Sequence, residues 1–135
     1  MLKNTKIAVY CRVSSDEQAE RGTIDNQVTF ARQYADLHHL AIYDVYKDDG
    51  VTGTIPLQDR PEGHRLLQDA ADERFTLVVF YKMDRLGRAT RVILNAVEAL
   101  SQYGVGVQSM SEPFDTATVV KMASYTDAGS YFTED

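Results

Sequence analysis

The sequence predicts one α/β domain, built on an open, mostly parallel β-sheet flanked by helices. Short apolar and β-branched segments alternate with longer segments whose apolar residues recur at helical spacing. The run from Thr76 to Tyr81 is apolar almost throughout, which is typical of a strand buried on both faces of a parallel sheet. With 135 residues, the chain is long enough for one such core but not for two.

The first strand is predicted from Ile7 to Val13. Its side chains alternate between two faces: Ile7, Val9, Cys11 and Val13 on one, and Ala8, Tyr10, Arg12 and Ser14 on the other. After Arg21-Gly22 breaks the pattern, a helix is predicted from Thr23, which can serve as its N-cap, to about His38. The apolar stripe of this helix is Ile24, Val28, Ala31 and Ala35.

The remaining elements follow in alternation. A second strand is predicted at 41–47, a helix opened by Pro61 at 60–71, the central strand at 76–81, a third helix ending near Gly104 and a last strand at 105–109. The third helix is indicated by a stripe of Ile93, Val97 and Leu100. Strands and helices at this spacing call for parallel strands joined by crossover helices.

Composition excludes several classes of protein. No apolar run approaches the length of a membrane span, and the N-terminus leads into the first strand without a signal-peptide core, so a cytoplasmic protein with no membrane partner is expected. The single cysteine, Cys11, lies on the apolar side of its strand, which favours a buried structural thiol. The three histidines lack the spacing of metal ligands, so no metal is expected.

The net charge of −6 argues against a chain that binds DNA unaided. The acidity is concentrated toward the C-terminus: residues 1–91 hold 13 Lys and Arg against 14 Asp and Glu, whereas residues 92–135 hold one against six. No basic stripe is dense enough to hold a duplex. Any affinity for DNA would therefore have to be supplied elsewhere.

Polar residues follow each of three predicted strands. Ser14 follows the first, Asp48 and Thr52 the second, and Asp84 and Arg85 the central one. Because the carboxyl ends of parallel strands meet at one edge of the sheet, these residues are expected to converge. Arg12 and Ser14 project the same way, and a hydroxyl beside a guanidinium suits phosphoryl chemistry.

Simpler interpretations exist for both polar segments. Ser14 or Ser15 could close the strand and cap the next element, with Arg12 as a solvated edge charge. In the second segment, Arg85 and Arg88 are three residues apart and would share one face of a helix, with Arg91 one turn further on. That pattern is also consistent with a solvated basic surface.

Together the two segments resemble the signatures of the serine recombinases, the family of resolvases, invertases and serine integrases. The first is Tyr10-Cys11-Arg12-Val13-Ser14-Ser15-x-x-Gln18, and the second is Lys82-Met83-Asp84-Arg85-Leu86-Gly87-Arg88. The longer turn from Ala19 to Thr23, before Ile24-Asp25-Asn26-Gln27, is similar to the large serine integrases and transposon recombinases.

The resemblance implies roles for individual residues. Ser14 would be the nucleophile, Arg12, Arg85 and Arg88 would bind the phosphate, and Arg60 would be a further catalytic arginine. Gln27 and Asp84 would be supporting polar residues in catalysis. Tyr10, Gln18, Asp48, Thr52 and Arg91 would contribute to substrate binding, with Thr52 in place of the usual serine.

The same resemblance implies a site-specific DNA recombinase that needs no cofactor. Ser14 would attack a DNA phosphodiester to give a 5′-phosphoserine link and a free 3′-hydroxyl, and religation would follow strand exchange. The expected partners are DNA and further copies of the chain, as a dimer and a synaptic tetramer of the full-length protein. The group that accepts the proton of Ser14 is not apparent.

The catalytic domain is expected to cover residues 1–123. Residues 124–135 carry no apolar stripe and are expected to be an irregular tail, with the long dimerisation helix and DNA-binding domain of the family absent. One alternative is therefore a non-catalytic remnant that acts as a binding or regulatory module. Another is a flavodoxin-like or receiver-like domain, against which the absence of a Gly-rich phosphate loop argues.

Overall fold

The computed structural model of the chain describes residues 6–15 and 22–111. The strands are β1 (Lys6–Val13), β2 (Ala41–Asp49), β3 (Leu77–Phe80) and β4 (Gly106–Ser109). The helices are α1 (Gly22–Leu37), α2 (Pro61–Ala71), the short α3 (Met83–Leu86) and α4 (Thr90–Ser101), with a 3₁₀ turn at Leu57–Asp59 before α2. The strands form one sheet in the order β2-β1-β3-β4, in which all neighbours are parallel. The predicted α/β fold is confirmed.

The two neighbours of β1 pair with it over different lengths. The pairing with β2 extends from Lys6 opposite Ala41 to Val13 opposite Asp49. The pairing with β3 covers only Ile7 to Val9. The last residues of β1 therefore project beyond β3, and their main chain on that side needs other partners.

Both faces of the sheet are buried, as the apolar run from Thr76 to Tyr81 predicts. Helix α1 packs on one face, where the fully buried residues are Ile7, Val9, Cys11, Ala31, Ala35 and Val79. Helices α2 and α4 cover the other face, whose buried residues include Ala8, Tyr10, Leu66, Ala70, Val78, Phe80, Ile93, Val97 and Leu100. The stripes predicted for the first and third helices lie against these two cores. A core on each face fixes β1 and β3, so the residues that follow them have defined positions.

The prediction that Arg85, Arg88 and Arg91 share one helical face is wrong. Helix α3 ends at Leu86, and Gly87 has extended backbone angles (φ −172°, ψ 160°) before α4 begins. A Cβ on Gly87 would lie 2.9 Å from Cγ1 of Val92, so the glycine lets the first turn of α4 pack closely against it. The three arginines therefore do not lie on one continuous helix.

Three expectations lie outside the described residues: the position of Gln18, the longer turn that begins at Ala19, and the nature of the segment beyond 111. Within residues 6–15 and 22–111, no helix has both the length and the apolar character that crossing a membrane requires.

Candidate active site at the carboxyl ends of the strands

Ser14 directly follows β1 and lies on the wall of a cleft of about 160 Å³. The other residues that line the cleft are Ser15, Thr52 and Arg88. These side chains come from the ends of β1 and β2 and from the segment after α3. The structure thus brings Ser14 and Thr52 together, as the topology argument predicts, and adds Arg88 to them.

The guanidinium of Arg12 is fully buried and donates to three main-chain carbonyl oxygens. Its Nη1 donates to Val51 at 2.8 Å, its Nη2 to Asp84 at 2.7 Å and its Nε to Arg85 at 3.1 Å. Charged donors to carbonyl oxygens are among the stronger hydrogen bonds in proteins. Arg12 therefore joins the loop after β2, which carries Thr52, to helix α3, which directly precedes the segment that carries Arg88.

The main chain of Arg12 is held by side chains where β3 has ended. The carboxamide of Gln27 accepts from the Arg12 N–H and donates to the Arg12 carbonyl oxygen, both at 3.3 Å. Nη1 of Arg85 donates to the same carbonyl oxygen at 3.0 Å. Gln27 and Arg85 thus take the place of a neighbouring strand two residues before Ser14.

Asp84 and Arg85 form an ion pair at the start of α3. Nε of Arg85 lies 3.3 Å from Oδ1 of Asp84, and the side chain of Arg85 is far less exposed than that of Asp84 (13% against 51%). The carboxylate of Asp84 therefore faces solvent while its carbonyl oxygen contacts Arg12.

Arg60 is the second fully buried arginine, and it too donates to the loop after β2. Its Nε donates to the carbonyl oxygen of Ile55 at 2.9 Å, and its Nη2 to that of Gly53 at 3.5 Å. Its Nη1 donates to the hydroxyl of Tyr10 at 3.0 Å. Arg60 consequently holds the loop that carries Thr52 without lining the cleft itself, and its charge is separated from solvent.

The hydroxyl of Tyr10 donates in turn to Oδ2 of Asp48 at 2.7 Å, inside the core. Asp48 is also buried, and it accepts the N–H groups of Glu62 at 2.9 Å and Gly63 at 3.0 Å. These are free donors of the first turn of α2, so a carboxylate from β2 caps that helix. Burial raises the pKa of Tyr10 well above its ordinary value, with a smaller contribution from Asp48. In this structure Tyr10 and Asp48 contact protein groups, and their predicted role in substrate binding stays a prediction.

Gly53 is a residue that the motif reasoning did not single out. It is buried, and a Cβ there would lie 2.6 Å from Cγ of Arg88 and 3.0 Å from Cζ of Arg12. Its carbonyl oxygen accepts the N–H of Arg88 at 3.0 Å. Only a residue without a side chain lets the two arginines approach the loop this closely. Its place in Val51-Thr52-Gly53-Thr54 is the one sequence signal for this role.

The remaining predicted residues lie at the surface. Thr52 is exposed, and its hydroxyl lies 3.2 Å from that of Thr54. Arg88 is exposed beside the cleft, and Arg91 is exposed in the first turn of α4. Within the part of the chain that the structure describes, no contact joins Arg91 to the cleft. Nor do the described residues contain a group of three or more His, Cys, Asp or Glu side chains that could hold a metal ion.

A second cavity, of about 220 Å³, lies on the α1 side of the strand ends. It is lined by Asn26, Gln27, Phe30, Tyr81 and Arg85. The rings of Phe30 and Tyr81 meet edge to face, with centroids 5.1 Å apart. Sequence reasoning missed these two aromatic residues because neither belongs to a polar motif.

The chain matches the family model described as "Resolvase, N terminal domain" over residues 7–127. Among solved structures, it is similar to the N-terminal catalytic domain of TP901-1 integrase, with 32% identity, a TM-score of 0.82 and 96% of each chain covered. It shares its fold with a resolvase family site-specific recombinase from Streptococcus pneumoniae, with 18% identity, a TM-score of 0.76, and 93% of this chain and 87% of that chain covered.

Two curated relatives match this chain over only part of their own length. "Probable DNA-invertase y4cG" of Sinorhizobium fredii (strain NBRC 101917 / NGR234) is 27% identical over 121 residues, which are 90% of this chain and 35% of the relative. A protein of Bacillus subtilis (strain 168), provisionally named as a DNA recombinase, is 39% identical over 83 residues, which are 61% of this chain and 16% of the relative. The chain therefore spans only about a third or less of the length of these relatives.

Proposed function

The chain belongs to the Resolvase N-terminal domain family, that of the serine recombinase catalytic domains, and on this premise we propose that it cuts and rejoins DNA with Ser14 as the nucleophile. The observation that carries the proposal is the cleft at the end of β1, where Ser14, Thr52 and Arg88 meet. A hydroxyl and a guanidinium on one cleft wall can hold a phosphodiester and attack it.

The reaction is a transesterification in which the number of phosphate ester bonds is conserved. Oγ of Ser14 bonds to phosphorus, the bond from phosphorus to the 3′ oxygen breaks, and the proton of Ser14 leaves while the 3′ oxygen takes one up. The products are a 5′-phosphoserine link and a free 3′-hydroxyl. Attack by a 3′-hydroxyl on that link reverses the step, so religation requires no ATP.

Arg88 and Arg85 supply the positive charge for this step. Arg88 lies on the cleft wall, and Arg85 is anchored to the carbonyl oxygen of Arg12 two residues before Ser14. Groups that stabilise charge in a transition state are worth about 100- to 1000-fold in rate each. Asp84 orients Arg85 through their ion pair, and its exposed carboxylate is proposed to accept the proton of Ser14.

The buried groups have a different role: they keep the walls of the cleft in place. Arg12 and Arg60 hold the loop that carries Thr52, and Gln27 holds the main chain of β1. Tyr10 and Asp48 connect Arg60 to the first turn of α2. Gln18 and Arg91 are also proposed to contact DNA. Gln18 is proposed because it belongs to the first motif, and Arg91 because its side chain is positively charged.

The partner proposed for the whole protein is DNA, bound by a dimer that pairs into a tetramer. The described part of the chain offers few exposed cations around the cleft, and the net charge is −6. Because duplex affinity depends on many phosphate contacts, most of it would come from outside the catalytic domain, proposed here as residues 1–123.

The experiment that tests the proposal looks for a covalent protein–DNA adduct. Supercoiled DNA from the flanks of the source gene is incubated with the full-length protein, and the linked residue is located by mass spectrometry. We expect an adduct at Ser14 that disappears in Ser14→Ala. Ser15→Ala is the matched control, because Ser15 lines the same cleft and should leave the adduct intact.

Two outcomes count against the proposal. An adduct that persists in Ser14→Ala assigns the nucleophile elsewhere. No adduct from the wild-type protein favours a non-catalytic binding module instead.

A further inference from the structure

We propose that the second cavity, between α1 and the segment after β3, binds a nucleobase of the DNA strand that Ser14 attacks. The proposal rests on the proposed function of Ser14, and it adds a base-binding pocket to the phosphate cleft. The cavity has a volume of about 220 Å³ and lies at the same strand ends as that cleft. Such a volume suits a single planar ring system rather than a larger ligand.

The walls of the cavity have the chemistry that recognises a base. Phe30, a large apolar residue, is more than a third exposed, and Tyr81 meets it edge to face. The ammonium of Lys82 lies 5.5 Å from the centroid of the Tyr81 ring. Aromatic side chains stack on bases and nearby cations contact the backbone, as in proteins that bind single strands.

Asn26 adds a group that can pair with the edge of a base. It is exposed on the first turns of α1 and lines the cavity beside the aromatic rings. A carboxamide offers both a donor and an acceptor, which matches the edge of a nucleobase better than an apolar side chain of a protein partner.

The position of the cavity relative to Ser14 also fits a nucleotide. Gln27 and Arg85 line the cavity, and both are hydrogen-bonded to the main chain of Arg12. Ser14 is two residues further along, which corresponds to about 7 Å of extended chain. A nucleotide whose phosphate lies at Ser14 can therefore place its own base near the cavity.

The proposed chemistry also lowers the cost of extruding that base. When Ser14 forms the phosphoserine link, the attached nucleotide becomes the 5′ end of a cut strand. Removing a base from the stack costs least where the strand is already unpaired or interrupted. The cavity would thus hold the terminal base while the strand waits to be rejoined.

The experiment is an NMR titration of the ¹⁵N-labelled chain with two probes. One is a short 5′-phosphorylated oligothymidylate, and the other is the same oligonucleotide with its first base removed. We expect the amide signals of Asn26, Phe30 and Tyr81 to shift with the first probe only. Phe30→Ala should weaken binding of the first probe about 10-fold and leave the second unchanged.

Three variants make the result interpretable. Phe30→Leu removes the aromatic ring but keeps apolar packing. If its melting temperature is unchanged, a loss of affinity for the first probe does not come from unfolding. Tyr103→Ala removes an exposed aromatic residue on the turn after α4 and should change neither affinity. Arg88→Ala tests the phosphate cleft and should weaken both probes equally.

The outcomes separate the two proposals. If Arg88→Ala weakens both probes but Phe30→Ala affects them equally or not at all, the base pocket is overturned while the phosphate cleft stands. If Arg88→Ala leaves both unchanged, the proposed function fails. If the amide signals of the cavity residues do not shift at millimolar probe, the base pocket is overturned. It is also overturned if those signals shift with protein concentration in the absence of DNA, because a second copy of the chain would then fill the cavity.

Discussion

The arginines that the motifs bring to the strand ends occupy two different environments. Arg12 and Arg60 are fully buried and donate to main-chain carbonyl oxygens of the loop after β2. Arg88 and Arg91 are exposed, and Arg88 lies beside Ser14 in the cleft. The buried pair holds the walls of the site, and Arg88 presents charge to whatever enters it.

The difference indicates that a signature residue can support a cleft without lining it. A buried guanidinium with several carbonyl partners fixes loop geometry, because each partner would otherwise lack a hydrogen bond inside the protein. An exposed guanidinium contributes little to stability but can bind a phosphate. Replacing members of each group should therefore change different measured quantities.

The largest expected effect on stability is that of Arg60→Ala. The change leaves the carbonyl oxygen of Ile55 and the hydroxyl of Tyr10 without the donor that Arg60 supplies, and removes the longer bond to Gly53. It also leaves the carboxylate of Asp48 buried without the cation on the other side of the Tyr10 hydroxyl. We expect the free energy of unfolding in urea to fall by about 3–5 kcal/mol.

Arg91→Ala is the control for that measurement. Arg91 is exposed, so its removal should change the free energy of unfolding by no more than about 0.5 kcal/mol. Equal losses for the two variants would contradict the division between buried and exposed arginines.

A smaller loss is expected for Gly53→Ala, which tests the contact between the two groups of arginines. The added Cβ would meet Cγ of Arg88 at 2.6 Å, and since Arg12 is held by its carbonyl partners, the exposed side chain of Arg88 should move. Stability should fall by about 2 kcal/mol, and adduct formation by the full-length protein should fall with it.

Gly104→Ala is the matched control for Gly53→Ala. Gly104 has φ +77°, so alanine there is strained by about 1–2 kcal/mol, yet its Cβ would meet nothing within 4 Å. This variant should lose stability but form the adduct normally. If both variants form it equally well, Gly53 does not position Arg88.

A smaller effect is expected for Tyr10→Phe, which removes the link between Arg60 and Asp48. The lost hydroxyl should lower the free energy of unfolding by about 1–2 kcal/mol at neutral pH. Because burial raises the pKa of Tyr10 in the folded state, its stabilising contribution is complete below the ordinary tyrosine pKa of about 10 and is lost as the pH rises above it.

The pH dependence gives Tyr10→Phe its own signature. Stability measured from pH 8 to 11 should decline less steeply in Tyr10→Phe than in the wild type. Cys11 also contributes to this decline, since burial raises the pKa of its thiol to about 12, so part of the slope should remain. Tyr103→Phe, at an exposed site, should keep the full slope; identical slopes in all three proteins would rule out the buried link.

The smallest effect on stability is expected at Arg65, an arginine whose side chain is partly exposed. It pairs with Asp44 at 2.8 Å and Glu62 at 2.7 Å, and its guanidinium lies over the ring of Tyr46. Hydrogen bonds from Arg65 hold the pKa of both carboxyl groups below their ordinary values. Their stabilising contribution is therefore present above about pH 4 and lost as the pH falls below it.

Arg65→Met tests that network. The difference between stability at pH 7 and at pH 3 should be slightly smaller in the variant than in the wild type, because the groups are partly exposed and screened. High salt should reduce the difference between the two proteins. If Arg65→Met and the wild type lose the same stability between pH 7 and pH 3, the ion pairs contribute nothing measurable.

The sequence predicted the parts of the fold that depend on local patterns. The alternation in β1, the stripe of Ile93, Val97 and Leu100, and the Pro61 helix start all correspond to elements of the structure. It failed at Gly87, where the need for close packing against Val92 interrupts a helix that the charge spacing favoured.

The burial of Arg12 could not be predicted in the same way. Charged side chains are rarely buried, and the carbonyl partners of Arg12 belong to Val51 and to residues 84 and 85, far along the chain. Such partners are known only once the loop and α3 are placed. The meeting of Ser14 with Thr52 was predictable, since it follows from parallel strands alone.

The most direct test of the account is the urea unfolding of Arg12→Ala and Arg88→Ala, each with and without a 5′-phosphorylated oligothymidylate. A ligand that binds only the folded chain raises its free energy of unfolding, so one titration reports both stability and binding. We predict that Arg12→Ala loses about 3 kcal/mol without DNA, whereas Arg88→Ala keeps wild-type stability and loses the gain that DNA confers. The reverse pattern, with Arg88→Ala unstable and still stabilised by DNA as the wild type is, would contradict the assignment of Arg12 to the structure of the cleft and Arg88 to its substrate.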